Sequence, residues 1–83
     1  MHVTKQLIGE RVGLARHNRG WTMNYLASRI GISRQSLHAI EHGKTWPGIV
    51  TLVSLAQMLE CSLDWLCGLT DPRPLDTPPD TDC

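Results

Sequence analysis

A single glycine between two short segments with apolar stripes constrains this chain more than any other feature. Leu26, Ala27 and Ile30 precede Gly31, while Leu37 and Ile40 follow it. Spacings of three and four residues place each set on one side of a helix. Gly31 can take the left-handed conformation that ends a helix, and Ser33 can cap the next by accepting a bond from a free amide. The two stripes then bury against a common core, with the turn setting the angle between them. Residues 26–44 therefore read as a helix-turn-helix. Arg34, Gln35, Ser36 and His38 gather near the exposed start of its second helix.

Further helix starts follow from hydroxyl residues and Pro/Gly breaks, and no strand is expected. Helix one is predicted from Lys5 to His17 after Thr4, with Ile8, Val12 and Ala15 on its inner face. Gly9 and Gly13 lie inside it, each costing up to ~1 kcal/mol against alanine, so this helix depends on close packing with its neighbours. Other helices are predicted after Thr22, after Ser33, near Gly48 beyond Trp46-Pro47, and after Ser62. Trp21 with Leu26, Ile32 with Leu37, and Cys61 with Leu66 each flank a hydroxyl cap at the spacing of a hydrophobic staple. Ile49, Leu52, Leu55, Ala56 and Leu59 give the fourth helix a core stripe. The expected fold is all-α, a compact five-helix domain over residues 4–70. Residues 71–83 are acidic and proline-rich with little to bury, and are expected to form a disordered tail.

The sequence has 83 residues and a formal net charge of zero, but the two halves differ. Residues 1–45 hold seven lysines and arginines against two glutamates, whereas residues 46–83 hold Arg73 against six acidic residues. The helix-turn-helix thus sits in a half of net charge +5, opposite a half of −5. Such polarity can turn one face toward phosphate, or can simply be a solvated surface. Three cysteines without paired spacing, the lack of a charged-then-apolar leader, and no apolar run near ~20 residues lead to the expectation of a cytoplasmic protein. A core of this size is near the lower limit for independent stability, which favours dimerisation.

Other chemistries find little support. His38 and His42 share a helix face at i, i+4, and Cys61 with Cys67 would have to complete a zinc set, yet no Cys-x-x-Cys is present, so no metal site is expected. The chain carries no Gly-rich phosphate loop, nucleophile elbow or paired inward carboxylates, so neither an enzyme nor a cofactor is expected. Cys61 and Cys67 read as packing residues and Cys83 as a tail thiol. Trp21 and Trp65 read as core anchors, while Trp46, before Pro47, reads as an exposed residue of the loop beside the polar side of the helix-turn-helix.

A short helix presenting Arg34 and Gln35 fits a DNA major groove. From Ile8 to Asp71 the chain resembles the Cro and lambdoid phage repressor type of helix-turn-helix, the xenobiotic-response-element (XRE) family. The residues carrying the likeness are Ile8-Gly9-Glu10-Arg11, Arg19-Gly20-Trp21-Thr22, Leu26-Ala27, Gly31-Ile32-Ser33, Ile40-Glu41-His42-Gly43-Lys44, Pro47, Thr51-Leu52, Leu55-Ala56 and Ser62-Leu63-Asp64-Trp65-Leu66. The resemblance implies a DNA-binding domain, commonly dimeric, that acts in transcription. It places Arg34 and Gln35 at base-reading positions, where arginine suits guanine and glutamine suits adenine. Ala39 falls at a further such position, open to contact with a thymine methyl or to simple spacing. His38 is within reach of phosphate or base. Thr22, Met23, Ser33, Ser36, Lys44 and Thr45 look like phosphate-contacting positions. Met23 departs from the glutamine common there, since a thioether cannot form the same polar bonds. The resemblance also sets Arg16 opposite Glu41 as a structural ion pair.

Val50, Val53, Met58, Trp65 and Leu69 lie off the main core stripe and form either a dimer patch or the rim of one small core. A two-fold dimer would set its recognition helices about 34 Å apart, one DNA turn, and would require a palindromic operator. The expectation is a repressor acting on double-stranded DNA as a homodimer. The alternatives are an antitoxin that also neutralises a toxin, and a protein-interaction adaptor.

Overall fold

Hydroxyl side chains start four of the five helices found among the described residues, 3–69, of the computed structural model. Thr4 opens α1 (Lys5–Asn18) by accepting from the Leu7 amide at 3.1 Å, and Thr22 opens α2 (Met23–Ile30) through the Tyr25 amide at 3.1 Å. Ser33 opens α3 (Arg34–Glu41) through the Ser36 amide at 3.0 Å, and Ser62 opens α5 (Leu63–Cys67) through the Trp65 amide at 3.0 Å. Only α4 (Ile49–Leu59) starts without a side-chain cap bond, after Pro47-Gly48. Each hydroxyl cap removed costs about 1 kcal/mol. Gly31 ends α2 with φ 80°, a left-handed turn in which a Cβ would be strained. The expected tail, 71–83, lies outside the described residues.

The core is built from Ile8, Val12 and Ala15 of α1, Leu26 and Ala27 of α2, Leu37 of α3, Leu55, Ala56 and Leu59 of α4, and Leu66 of α5, all buried. Trp21 and Ile32 pack against it from the turns before α2 and α3, where a staple residue belongs, and Trp65 packs against it from α5. Ile49 departs from the predicted stripe, being 72% exposed. The buried arc of α4 runs through Leu55, Ala56 and Leu59, and Ile49 lies at its edge in the first turn, where no other helix covers it.

Gly9 shows why α1 carries glycine within a helix. A Cβ there would stand 2.7 Å from the Glu41 carbonyl oxygen and would also strike the Ile40 carbonyl, so α1 crosses the end of α3 at backbone contact. Gly9→Ala is expected to cost about 3 kcal/mol, because two backbone segments must separate. In a domain of this size that corresponds to roughly 12–24 °C in Tm. Gly13→Ala meets a movable side-chain carboxylate at 3.3 Å and is expected to cost less. Equal thermal melts for the two variants would contradict this packing.

Arg16, at 7% exposure, is the buried charged residue of α1. Its Nε donates to Glu41 Oε2 at 2.7 Å, one Nη to Glu41 Oε1 at 3.0 Å, and the other Nη to the Trp21 carbonyl at 2.7 Å. The guanidinium thereby joins α1, α3 and the α1–α2 turn. Arg11 lies 5.0 Å over the Trp65 ring and donates to the Trp65 carbonyl, while Arg19 donates to the Leu59 carbonyl and pairs with Glu60. Three of the five arginines in the basic half thus serve the fold, and the cations left for a partner are fewer than the net charge suggests.

Candidate nucleic-acid interface

The core fixes which side of α3 faces outward. Leu37 and Ile40 are buried, and Glu41 is turned inward to Arg16. At 3.6 residues per turn, the opposite side carries Gln35, Ala39 and His42 along its centre, with His38 beside them, and Arg34 flanks His38 on the Glu41 side, exposed in the first turn. Arg34 and Gln35 are exposed, and neither is drawn into an ion pair among the described residues. Their amide and guanidinium donors remain available to an external acceptor, at the end of α3 that the Gly31-Ile32-Ser33 turn presents.

His38 and His42 stack, with ring centroids 3.9 Å apart and planes within 20°. His42 Nδ1–H donates to the His38 carbonyl at 2.9 Å, so its Nε2 is the nitrogen left outward. The His42 ring holds the His38 imidazole below the usual histidine range; desolvation and the cations Lys44 and Arg34 act in the same direction, and Glu41 opposes them. His38 is therefore mainly neutral near pH 7. On sequence alone His42 enters as part of the motif that carries the resemblance and in a metal set that is not expected, and not as a residue of this face. Its spacing of seven residues from Gln35, two turns along the same face, is the signal that would have placed it here.

The residues expected to meet phosphate divide into several kinds. Thr22, Ser36, Lys44 and Thr45 are exposed. Ser33 accepts the Ser36 amide and donates to Ser36 Oγ at 2.9 Å, so its hydroxyl is occupied as cap and relay while the Ser36 hydroxyl hydrogen remains to donate outward. Met23 packs against the core, because its apolar thioether gains more from burial than from water. At that position the first-turn amide of α2, rather than the side chain, is the group offered to an anion. Ala39 is half-buried and lines a cleft of about 440 Å3 between α3 and the Trp46-Pro47 segment.

The five residues considered for a dimer do not share one environment. Val50 is 75% and Leu69 48% exposed, Val53 is half-buried, and Met58 and Trp65 pack against the chain's own core. Cys67 is half-buried, and burial, then Asp64, pushes its thiol pKa up, which disfavours the thiolate needed to bind metal. Among the described residues no three His, Cys, Asp or Glu side chains converge, and no helix is long and apolar enough to cross a membrane.

A short capped helix with exposed polar side chains, set by a glycine turn against a supporting helix, is a helix-turn-helix, and the likeness to known proteins makes the chain a DNA-binding transcriptional regulator of the repressor type. Residues 9–72 match the family described as a helix-turn-helix domain, and the chain belongs to that family, in its Cro and lambdoid repressor branch. It is 34% identical over 73 residues to the uncharacterized HTH-type transcriptional regulator y4dJ of Sinorhizobium fredii, covering 88% of this chain and 95% of that protein. It is 40% identical over 78 residues to the HTH-type transcriptional regulator DicA of Escherichia coli, covering 92% of this chain but 56% of DicA. The chain therefore spans little more than half of that longer relative. Among solved structures it is similar to the P22 c2 repressor in complex with a synthetic operator, with TM-score 0.70 and 31% identity over 74% of this chain and 92% of that one.

Proposed function

We propose that this chain binds a palindromic operator as a homodimer and represses transcription by occluding polymerase. The observation that carries the reading is the outward face of α3, where Arg34 and Gln35 stand exposed and outside any ion pair among the described residues. In the major groove Arg34 donates twice to a guanine and Gln35 pairs with an adenine edge. Thr22, Ser36, Lys44 and Thr45 hold the flanking phosphates, with the Met23 amide at the start of α2, and Ser33 keeps Ser36 in place. The binding unit is residues 4–70, with 71–83 as an acidic extension. The protein acts in the cytoplasm, on the nucleoid.

Val50 and Leu69, the most exposed of the candidate residues, are the apolar groups available to the two-fold contact. Sedimentation on a selected operator tests this. Two chains on the full palindrome, with weak binding to a half-site, are expected; one chain per duplex with equal affinity for both would overturn the dimer. The second reading is a protein partner, as in an antitoxin or an adaptor, and it draws on the exposed Trp46, Ile49 and Val50. It predicts weak, salt-sensitive DNA binding without sequence preference.

His38 makes binding depend on pH. Phosphate favours the charged imidazole, so the pKa of His38 rises from its lowered free value when DNA binds. Binding takes up protons wherever the bound state holds more of them, and affinity therefore increases as pH falls from 8 toward 6. The paired substitution His38→Gln, His42→Gln is expected to flatten this dependence at constant salt. An unchanged pH profile in that variant would show that the imidazoles lie away from the DNA.

A further inference from the structure

A ladder of cations and aromatic rings runs from the α1–α2 turn along α2. The Arg19 guanidinium lies 5.3 Å from the Trp21 ring centroid, the Trp21 and Tyr25 rings are 5.2 Å apart with planes tilted by 55°, and the Arg29 guanidinium lies 6.0 Å from the Tyr25 ring. Trp21 packs against the core, while Tyr25 and both arginines are exposed. Arg29 is in no ion pair among the described residues, and Arg19 meets the exposed Glu60 carboxylate at 3.3 Å. Arg19 also donates to the Leu59 carbonyl, which fixes that end of the ladder at the junction of α4 and α5. The helix that follows, α5, is five residues long, and the Leu69 amide turns back to donate to the Asp64 carbonyl at 2.8 Å. Residues 71–83 therefore begin about one short helix away from the ladder.

We propose that this ladder is a docking surface for the chain's own residues 71–83. Proline-rich segments dock on aromatic surfaces because their rings pack flat on side-chain rings and their backbone has little freedom to lose. The segment supplies Pro72, Pro74, Pro78 and Pro79 together with Asp71, Asp76, Asp80 and Asp82. Asp76 and Asp80 flank Pro78-Pro79 and stand ~12 Å apart in polyproline conformation. That spacing lays the two prolines over Trp21 and Tyr25 and brings a carboxylate to the guanidinium at each end. Charge acts in the same direction: residues 1–70 hold seven lysines and arginines against four acidic residues, +3, and residues 71–83 hold Arg73 against four aspartates, −3. Because the segment is tethered next to the ladder, its effective concentration there is high and weak contacts suffice. The docking does not depend on α3 being the base-contacting helix, so either reading can fail alone.

Nuclear magnetic resonance on the full chain, without DNA, tests the docking. Nuclear Overhauser contacts from the ring protons of Pro78 and Pro79 to the Trp21 ring are expected, with intensities that do not change on dilution. Two full-chain variants, Asp76→Asn with Asp80→Asn and Tyr25→Ser with Arg29→Gln, should weaken these contacts while the melting temperature stays near that of wild type. The docking constant, read from the Trp21 indole N–H shift against its value at high salt, is expected to fall about two- to fivefold for each ion pair removed. A wild-type chain without proline-to-indole contacts, or contacts that both variants retain at full strength, overturns the docking. Contacts that fade on dilution place the segment of a second copy on the ladder and overturn the assignment to the chain's own.

Discussion

Arg16→Ala is expected to leave the chain mostly unfolded at 37 °C. The guanidinium makes two bonds to Glu41 and a third to the Trp21 carbonyl, with the side chains of the pair 8% and 6% exposed. Truncating one partner strands a buried carboxylate, which costs about 3–5 kcal/mol. A domain of this size has roughly 3–5 kcal/mol in total, so the loss matches its stability. Glu41→Ala strands the guanidinium instead and should behave alike. The pair as a whole need not be stabilising: replacing both together, Arg16→Met with Glu41→Leu, is expected to recover most of the loss. Thermal melts followed by circular dichroism check each case, with Arg29→Ala, an exposed arginine of α2, as the reference. An Arg16→Ala melt within a few degrees of that reference would contradict the role given to the pair.

Arg34→Ala and Gln35→Ala are expected to do the reverse, leaving the melt unchanged and removing base discrimination. Both side chains are exposed, so the fold loses nothing when they are cut back. Each bidentate base contact is worth about 1–3 kcal/mol, or roughly 5- to 150-fold between the right base and a wrong one. Each variant should lose discrimination at its own position in the half-site and retain it at the other. Lys44→Ala offers the contrast: removing a cation that we propose faces phosphate is expected to weaken binding to all sequences about equally and to lower the salt slope by about one ion. Titrations against single-base operator variants separate the two patterns. Uniform weakening from Arg34→Ala would assign that side chain to a phosphate rather than a base.

Much of the fold is local in origin, which is why it is legible in the sequence. Thr4, Thr22, Ser33 and Ser62 cap helices within three residues of themselves, and Gly31 ends α2 by its own backbone freedom. Features that depend on three-dimensional neighbours are not. Gly9 and Gly13 announce close packing without saying what approaches, and the answer is the end of α3 and the Glu41 carboxylate. Ile49 has the spacing of a core residue, but spacing does not tell how far along α4 the core extends. Arg11 and Arg19 read in the sequence as part of a basic surface and instead lie against Trp65 and Trp21.

The candidate site divides the same way. Arg34, Gln35 and Ser36 follow from the cap and the apolar stripe together. The inward turn of Met23 and the cleft beside Trp46 require knowing where another element passes, whereas the occupied hydroxyl of Ser33 and the stacked His42 have partners only three and four residues away. Trp46 reads in the sequence as a loop residue beside the exposed side of α3, while the cleft it shares with Gln35 depends on how that loop packs.

Selection from a random duplex library near physiological salt, run in parallel on wild type and on the Arg34→Ala, Gln35→Ala double variant, tests the central claim most directly. A palindromic motif enriched by wild type and relaxed by the double variant is the predicted result. A folded wild-type chain that enriches no motif, or a motif that the double variant enriches equally, would contradict sequence recognition through α3.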